Sequence, residues 1–226
     1  MLISHKYKFI FLKSMKTASS SVFSFFTPYC ISPEALKFFD YANNYKSIGG
    51  FTDPTEYGIV GREKKHLKPF DHPLHVHAKY VRDYVNSLNP NMWNEYFKFT
   101  TVRNPWDLCV SRYFFHVNFY VEKIKFNKFI KNMHQLNNIS YPFYRINGKY
   151  VCDFYIRYEQ LKEDIAKACD IVGITDYNFD NLISKHSNYR PKNLHYSEMY
   201  NKETKNLVAD LYADDIKKFD YKFEEV

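Results

Sequence analysis

Residues 7–22 read YKFIFLKSMKTASSSV, and the fold turns on how this stretch is read. Tyr7–Leu12 is a short, dense run of apolar and aromatic side chains bounded by polar residues, the pattern of a strand buried on both faces. A polar, hydroxyl-rich segment, Lys13–Ser21, follows. It gives way to Val22–Phe26, an apolar helical stretch that closes near Pro28. Strand, small polar loop and helix together open an α/β unit.

The same grammar recurs downstream. Residues 96–102, YFKFTTV, predict a second strand, after which Arg103-Asn104-Pro105 leads into the amphipathic stretch WDLCVSRYFFHVNFY. Asn104 suits the N-cap and Pro105 the first helical position. Residues 150–157, YVCDFYIR, predict a third strand, and EQLKEDIAKACDIVG a helix ended by Gly173. Helices are also predicted over 76–88, with Val76, Tyr80, Val81, Tyr84 and Leu88 on one face, and over about 125–136. A further helix is predicted over about 202–219, with Leu207, Leu211, Tyr212 and Ile216 inward. Alternating strands and helices imply a mainly parallel sheet covered on both sides. The simplest organisation is one domain over 1–226, with a loop-rich excursion at about 30–74 that holds Gly49, Gly50, Gly58, Gly61, Pro33, Pro54, Pro69 and Pro73.

The 226 residues carry 32 Lys and Arg against 25 Asp and Glu, a net charge of +7 that favours an anionic partner without choosing which. Composition at 45% hydrophobic and 25% charged excludes wholesale disorder. The 19% aromatic content is read chiefly as core packing. The N-terminal apolar run, Phe9–Leu12, is too short for a signal peptide or a spanning helix. Cys30, Cys109, Cys152 and Cys169 are scattered, with no C-x-x-C, so no thiolate zinc site or disulfide framework is expected. The expectation is a cytoplasmic protein with reduced thiols and no membrane segment.

Two strand-to-helix turns carry chemistry. In Lys16-Thr17-Ala18-Ser19-Ser20-Ser21, unpaired amides at a helix N-terminus, hydroxyl donors and a lysine are the ingredients of an anion site. A plain helix start with a solvated lysine would use the same residues. The loop lacks the two glycines of G-x-x-x-x-G-K-[ST], which removes support for ordinary NTP hydrolysis. In the second turn, Arg103 is able to grip a phosphate bidentately, with Ser111 reaching it from the helix. Alternatively, Arg103 pairs with a nearby acid. If the sheet is parallel, both turns leave the same edge, where open α/β sheets bind ligands, and two anion-ready turns fit a ligand with two phosphate-like groups.

These residues resemble the sulfotransferases that use 3′-phosphoadenosine 5′-phosphosulfate (PAPS), in particular the carbohydrate-type branch. FLKSMKTASSSV is similar to that family's 5′-phosphosulfate loop, and VRNPWDLCVSRYFF to its 3′-phosphate motif. DFYIRYEQLKEDIAKACDIVGI and the closing YNKETKNLVADLYADDIKKFDYKF agree in order and spacing; residues 30–74 match poorly. The resemblance implies a P-loop-like three-layer α/β sandwich. It implies that Lys16, Thr17, Ala18, Ser19, Ser20 and Ser21 hold the 5′-phosphosulfate, and that Arg103 and Ser111 hold the 3′-phosphate. Arg190 and Lys192, in NYRPKN, fall where related chains place a loop over the donor. The implied reaction moves a sulfuryl group to a hydroxyl acceptor of carbohydrate type and releases adenosine 3′,5′-bisphosphate. Neither a metal nor nucleic acid takes part. Lys16 would neutralise the leaving oxygen. A histidine suits the role of base near neutral pH: HVHAKYVRDYV resembles a family segment in which a histidine precedes an alanine at a helix start, which points to His77, with His75 and His72 in reserve. A His-x-His zinc pair, a kinase-like phosphotransferase and a basic, aromatic-rich nucleic-acid-binding protein are the competing expectations.

Overall fold

The computed structural model describes residues 1–40, 56–61, 75–119, 123–137, 143–184 and 189–226. Most of the excursion expected at 30–74 lies outside these residues, and so does His72. The chain forms two compact units, Met1–Val102 with Tyr141–Lys185, and Arg103–Ser140 with His186–Val226.

The first unit is built on a five-stranded mixed sheet. Its strands are β1 (Leu2–Ser4), β2 (Phe9–Leu12), β3 (Gly58–Val60), β4 (Phe97–Val102) and β7 (Phe154–Arg157), in the order β3-β1-β2-β4-β7. A two-stranded ribbon, β5 (Arg145–Ile146) with β6 (Lys149–Tyr150), stands apart from it. The sequence prediction of a mainly parallel sheet holds for β2-β4-β7, whose pairings are parallel. It fails at the other side, where β1 pairs antiparallel with both β2 and β3. For β1 and β2 the physical cause is the short link His5–Lys8: strands joined by so few residues can only pair antiparallel, whereas a parallel crossover needs a dozen or more. Lys8 helps to reverse the chain with φ 47°. In β3, a Cβ at Gly58 would lie 2.1 Å from the Ile3 carbonyl oxygen, so only glycine allows this approach to β1.

Strand alternation sorts the core into two layers. Leu2, Phe9, Phe11 and Phe99 face α1 (Ser19–Phe26) and α7 (Leu161–Val172), meeting Val22, Phe23, Phe25, Phe26, Ile165 and Cys169. Ile3, Ile10, Leu12 and Ile59 face α3 (Ala78–Leu88) and α4 (Met92–Glu95), meeting Ala78, Val81, Val85, Met92 and Trp93. Helices therefore cover both faces, as the α/β expectation requires. The rings of Phe9, Phe26 and Phe99 interlock at centroid distances of 5.0–5.6 Å, so these aromatics serve packing. Truncating any one of them to alanine would cost about 3–5 kcal/mol. The short α2 (Pro33–Leu36) lies in the described part of the excursion. On α3 the buried positions are Ala78, Val81 and Val85, while Leu88, expected inside, is 45% exposed. Gly173 closes α7 in the left-handed conformation, as expected.

The second unit is helical: α5 (Pro105–Phe119), α6 (Phe126–Gln135), α8 (Lys202–Leu211) and α9 (Ala213–Phe219). The start of α5 follows its sequence signals. Asn104 Oδ1 accepts from Trp106 N at 3.1 Å, and Pro105 occupies the first turn. The Asn104 amide donates to Lys222 O and the Trp106 indole to Lys205 O, fixing the C-terminal segment beside α5. The helix predicted over 202–219 breaks at Tyr212, and its buried face is Thr204, Val208, Leu211, Tyr212, Asp215 and Phe219. Leu207 and Ile216 are half-buried instead.

Candidate functional site

The loop after β2 is shaped by hydroxyls. Ser14 Oγ donates to Thr101 O at 2.6 Å and lies 2.6 Å from Thr17 Oγ1 and 2.9 Å from Thr101 Oγ1; the two threonine hydroxyls are 2.6 Å apart. All three side chains are buried. Ser19 Oγ donates to the Ser14 carbonyl, and one residue earlier on β4, Thr100 Oγ1 donates to Leu12 O at 2.6 Å. Thr100 and Thr101 thus tie the end of β2 and the following loop to the parallel neighbour. Fully paired buried networks of this kind rigidify what they join.

Within that frame the backbone alternates. Lys16 has φ 60° and Ala18 φ 59°, with Thr17 between them on the ordinary negative side, and Ser19 begins α1. Left-handed backbone at a residue with a Cβ costs about 1–2 kcal/mol each, and such strain concentrates at binding sites. Successive residues of alternating hand turn their amides into one concavity that accepts an anion. Ser21 N and Val22 N close the first helical turn on Ala18 O, and the amides ahead of them have no acceptor within the helix. Ala18 supplies no side-chain cap and the first turn of α1 carries no acidic residue, so the positive helix end keeps its field. Of the side chains expected to hold an anion, Thr17 and Ser19 are engaged inward and shape the loop. Lys16 and Ser20 are half-buried at the turn, and Ser21 is buried on α1.

His75 and His77 reach the same unit from the start of α3. His75 Nδ1 lies 3.3 Å from Lys13 O, a contact in which this nitrogen is the donor. His77 occupies the N-cap of α3 without capping it through its side chain. Its ring meets Phe143 edge-on at 5.4 Å, and the His75 ring meets the same Phe143 at 5.9 Å. Burial lowers the His77 pKa, favouring the neutral imidazole.

In the second unit, Arg103 Nε donates to Asp107 Oδ2 at 2.6 Å, the acid pairing foreseen as the alternative. The other carboxylate oxygen, Oδ1, receives Arg190 Nη1 at 2.5 Å, while Arg190 Nε and Nη2 both donate to Leu194 O. Ser111, one turn beyond Asp107 on α5, is half-buried, and Lys192 is exposed. Asp107 was absent from the sequence-derived site, although its spacing of four from Arg103 was a usable signal. Its meeting with Arg190, 83 positions away, had none.

Among the described residues no group of three or more His, Cys, Asp or Glu is placed to hold a metal ion. None of the described helices is long and apolar enough to cross a membrane. No family model matches the chain, and no solved structure matches it. A protein of Archaeoglobus fulgidus, described as an uncharacterized protein, is 32% identical over 95 residues, which span 40% of this chain and 79% of the archaeal one. By that likeness, the chain belongs to the same family as the archaeal protein.

Proposed function

We propose that the protein is a PAPS-dependent sulfotransferase acting on a hydroxyl acceptor of carbohydrate type, its first unit a P-loop-like sandwich. The observation that carries the reading is the turn at Lys16–Ala18, where alternating backbone hand, an uncapped helix end and a lysine converge after a central parallel strand. That combination suits a group with several charged oxygens. The 5′-phosphosulfate is assigned to the amides of this turn with Lys16, Ser20 and Ser21, and the 3′-phosphate to Arg103 and Ser111.

In the reaction, the acceptor oxygen attacks sulfur in line. Its O–S bond forms as the bond from sulfur to the donor's phosphate oxygen breaks, and adenosine 3′,5′-bisphosphate departs with the electron pair. Lys16 neutralises charge on the leaving oxygen, and the turn's amides meet charge spread over the others. A neutral imidazole takes the acceptor's proton. His77 is the first choice because burial lowers its pKa and so favours the unprotonated form. His75 is the alternative, because its Nδ1 contact with Lys13 O orients the ring at the loop after β2.

Calorimetry with adenosine 3′,5′-bisphosphate tests the assignment. Micromolar binding, worth about −8 kcal/mol, is expected, and absence of binding refutes the reading. Lys16→Ala is expected to abolish transfer of labelled sulfuryl groups without unfolding the chain; full turnover in that variant removes the role given to Lys16.

A further inference from the structure

Arg103, the residue assigned to the 3′-phosphate, is bound to a carboxylate, and a one-to-one pair of opposite charges has little field left with which to attract an anion. The second unit resolves this conflict with a third charge. Asp107 holds Arg103 through Oδ2 at 2.6 Å and Arg190 through Oδ1 at 2.5 Å. The three side chains are only 10%, 13% and 22% exposed, so water screens them weakly. Two guanidinium groups stay charged at any ordinary pH, so with one carboxylate the triad carries a net charge of +1. Arg190 is itself fixed, because its other two nitrogens donate to Leu194 O.

We propose that Arg190 is a positioning and charge-compensating residue for phosphate recognition by Arg103: it neutralises Asp107, which can then orient Arg103 without cancelling its charge. Arg190 acts through Asp107 and makes no contact with the ligand. This rests on the reading above that Arg103 takes the 3′-phosphate of an adenosine nucleotide. It departs from that reading by moving Arg190 from a lid over the donor to a support behind Asp107.

The test compares two probes on the full chain by calorimetry, adenosine 3′,5′-bisphosphate and adenosine 5′-monophosphate, which lacks the 3′-phosphate. The wild type is expected to prefer the bisphosphate at least tenfold. Arg190→Gln is expected to erase about tenfold of that preference, since one unit charge is lost from a weakly screened triad and Asp107 then cancels Arg103, while affinity for the monophosphate stays the same. Asp107→Asn added to Arg190→Gln returns the net charge to +1 and leaves a neutral amide pair, and is expected to bring the preference back to within threefold of wild type. Arg190→Lys, which keeps the charge, is expected to keep most of it. Two results overturn the proposal: an unaltered preference in Arg190→Gln, or a double variant as weak as the single one, which places Arg190 on the ligand itself. If Arg190→Gln fails to fold, the double variant and Arg190→Lys decide, and loss of preference in both overturns the idea. A wild type that binds neither nucleotide is a distinct outcome that removes the underlying reading and this proposal with it.

Discussion

Replacing Ala18 by glycine tests the left-handed turn through a change of sign. In an ordinary helical position, Ala→Gly costs about 0.5–1 kcal/mol, because glycine loses more backbone freedom on folding. Ala18 is not ordinary: at φ 59° and ψ 12° its Cβ is strained by about 1–2 kcal/mol, and glycine removes that strain. The difference leaves Ala18→Gly about 0.5–1 kcal/mol more stable than wild type. Ala18→Val goes the other way, because a β-branched residue at positive φ is a steric outlier, and a loss of about 1–2 kcal/mol beyond the alanine strain is expected. The two variants should therefore stand about 1.5–3 kcal/mol apart, or roughly 1 M in urea midpoint for a slope near 2 kcal/mol/M. Urea unfolding followed by far-ultraviolet circular dichroism, with bisphosphate titration of each folded variant, measures both stability and the anion site. Binding should survive in the glycine variant and fail in the valine variant. An Ala18→Gly protein about 1 kcal/mol less stable than wild type refutes the alternating turn, and with it the anion cradle.

Removing single hydroxyls from the Ser14, Thr17 and Thr101 cluster should give unequal penalties. Thr17→Val leaves Ser14 donating to Thr101 O and Thr101 donating to Ser14 Oγ, with no stranded proton, so about 1 kcal/mol is expected. Ser14→Ala leaves two threonine hydroxyls to share one bond and costs about 1–3 kcal/mol; equal denaturation midpoints would contradict the network. Burial lowers the pKa of His77, so the unfolded chain takes up its proton first, and stability from this group is complete above about pH 6.5 and falls as pH drops below it. His77→Gln should flatten that part of a stability-against-pH curve, and an unchanged curve would place the titration elsewhere. Burial pushes the thiols of Cys109 and Cys169 up to about 12 and that of Cys30 well above its usual value. Native protein should therefore resist alkylation at pH 8, and rapid labelling of these three would contradict their burial.

The elements that sequence exposed best are those whose local pattern and final environment agree. Phe9–Leu12 and Phe97–Val102 were dense enough to announce buried strands, and Asn104-Pro105 and Gly173 announced helix ends through chemistry confined to a few residues. Leu2–Ser4 and Gly58–Val60 are three residues each, too short for periodicity to register, and their pairing depends on the approach at Gly58. Phase errors on α3 and in the last helices arose because tertiary packing chose Val85 over Leu88 and Val208 over Leu207. The turn at Lys16–Ala18 was found by residue type, but its left-handed backbone was invisible, since no glycine marks it. Nor does any local signal reveal that Thr17 faces Thr101, or that Arg190 meets Asp107; both pairings are made only once the chain has folded.

The sheet's wiring also sets the order in which the chain can be assembled. Leu2 pairs with Val60, Phe11 with Phe99 and Thr101 with Ile156, so among the described residues every ladder of the five-stranded sheet except β1–β2 waits for distant chain. At a synthesis rate of about 5–20 residues per second, Phe9–Leu12 spends on the order of 5–20 s without its parallel neighbour. Such non-local pairing also folds slowly once begun, because loop closure must precede the contacts that reward it. Phe9–Leu12, apolar throughout, is therefore made well before the strand that pairs with its parallel edge, which leaves that edge open to aggregation and to chaperones during synthesis.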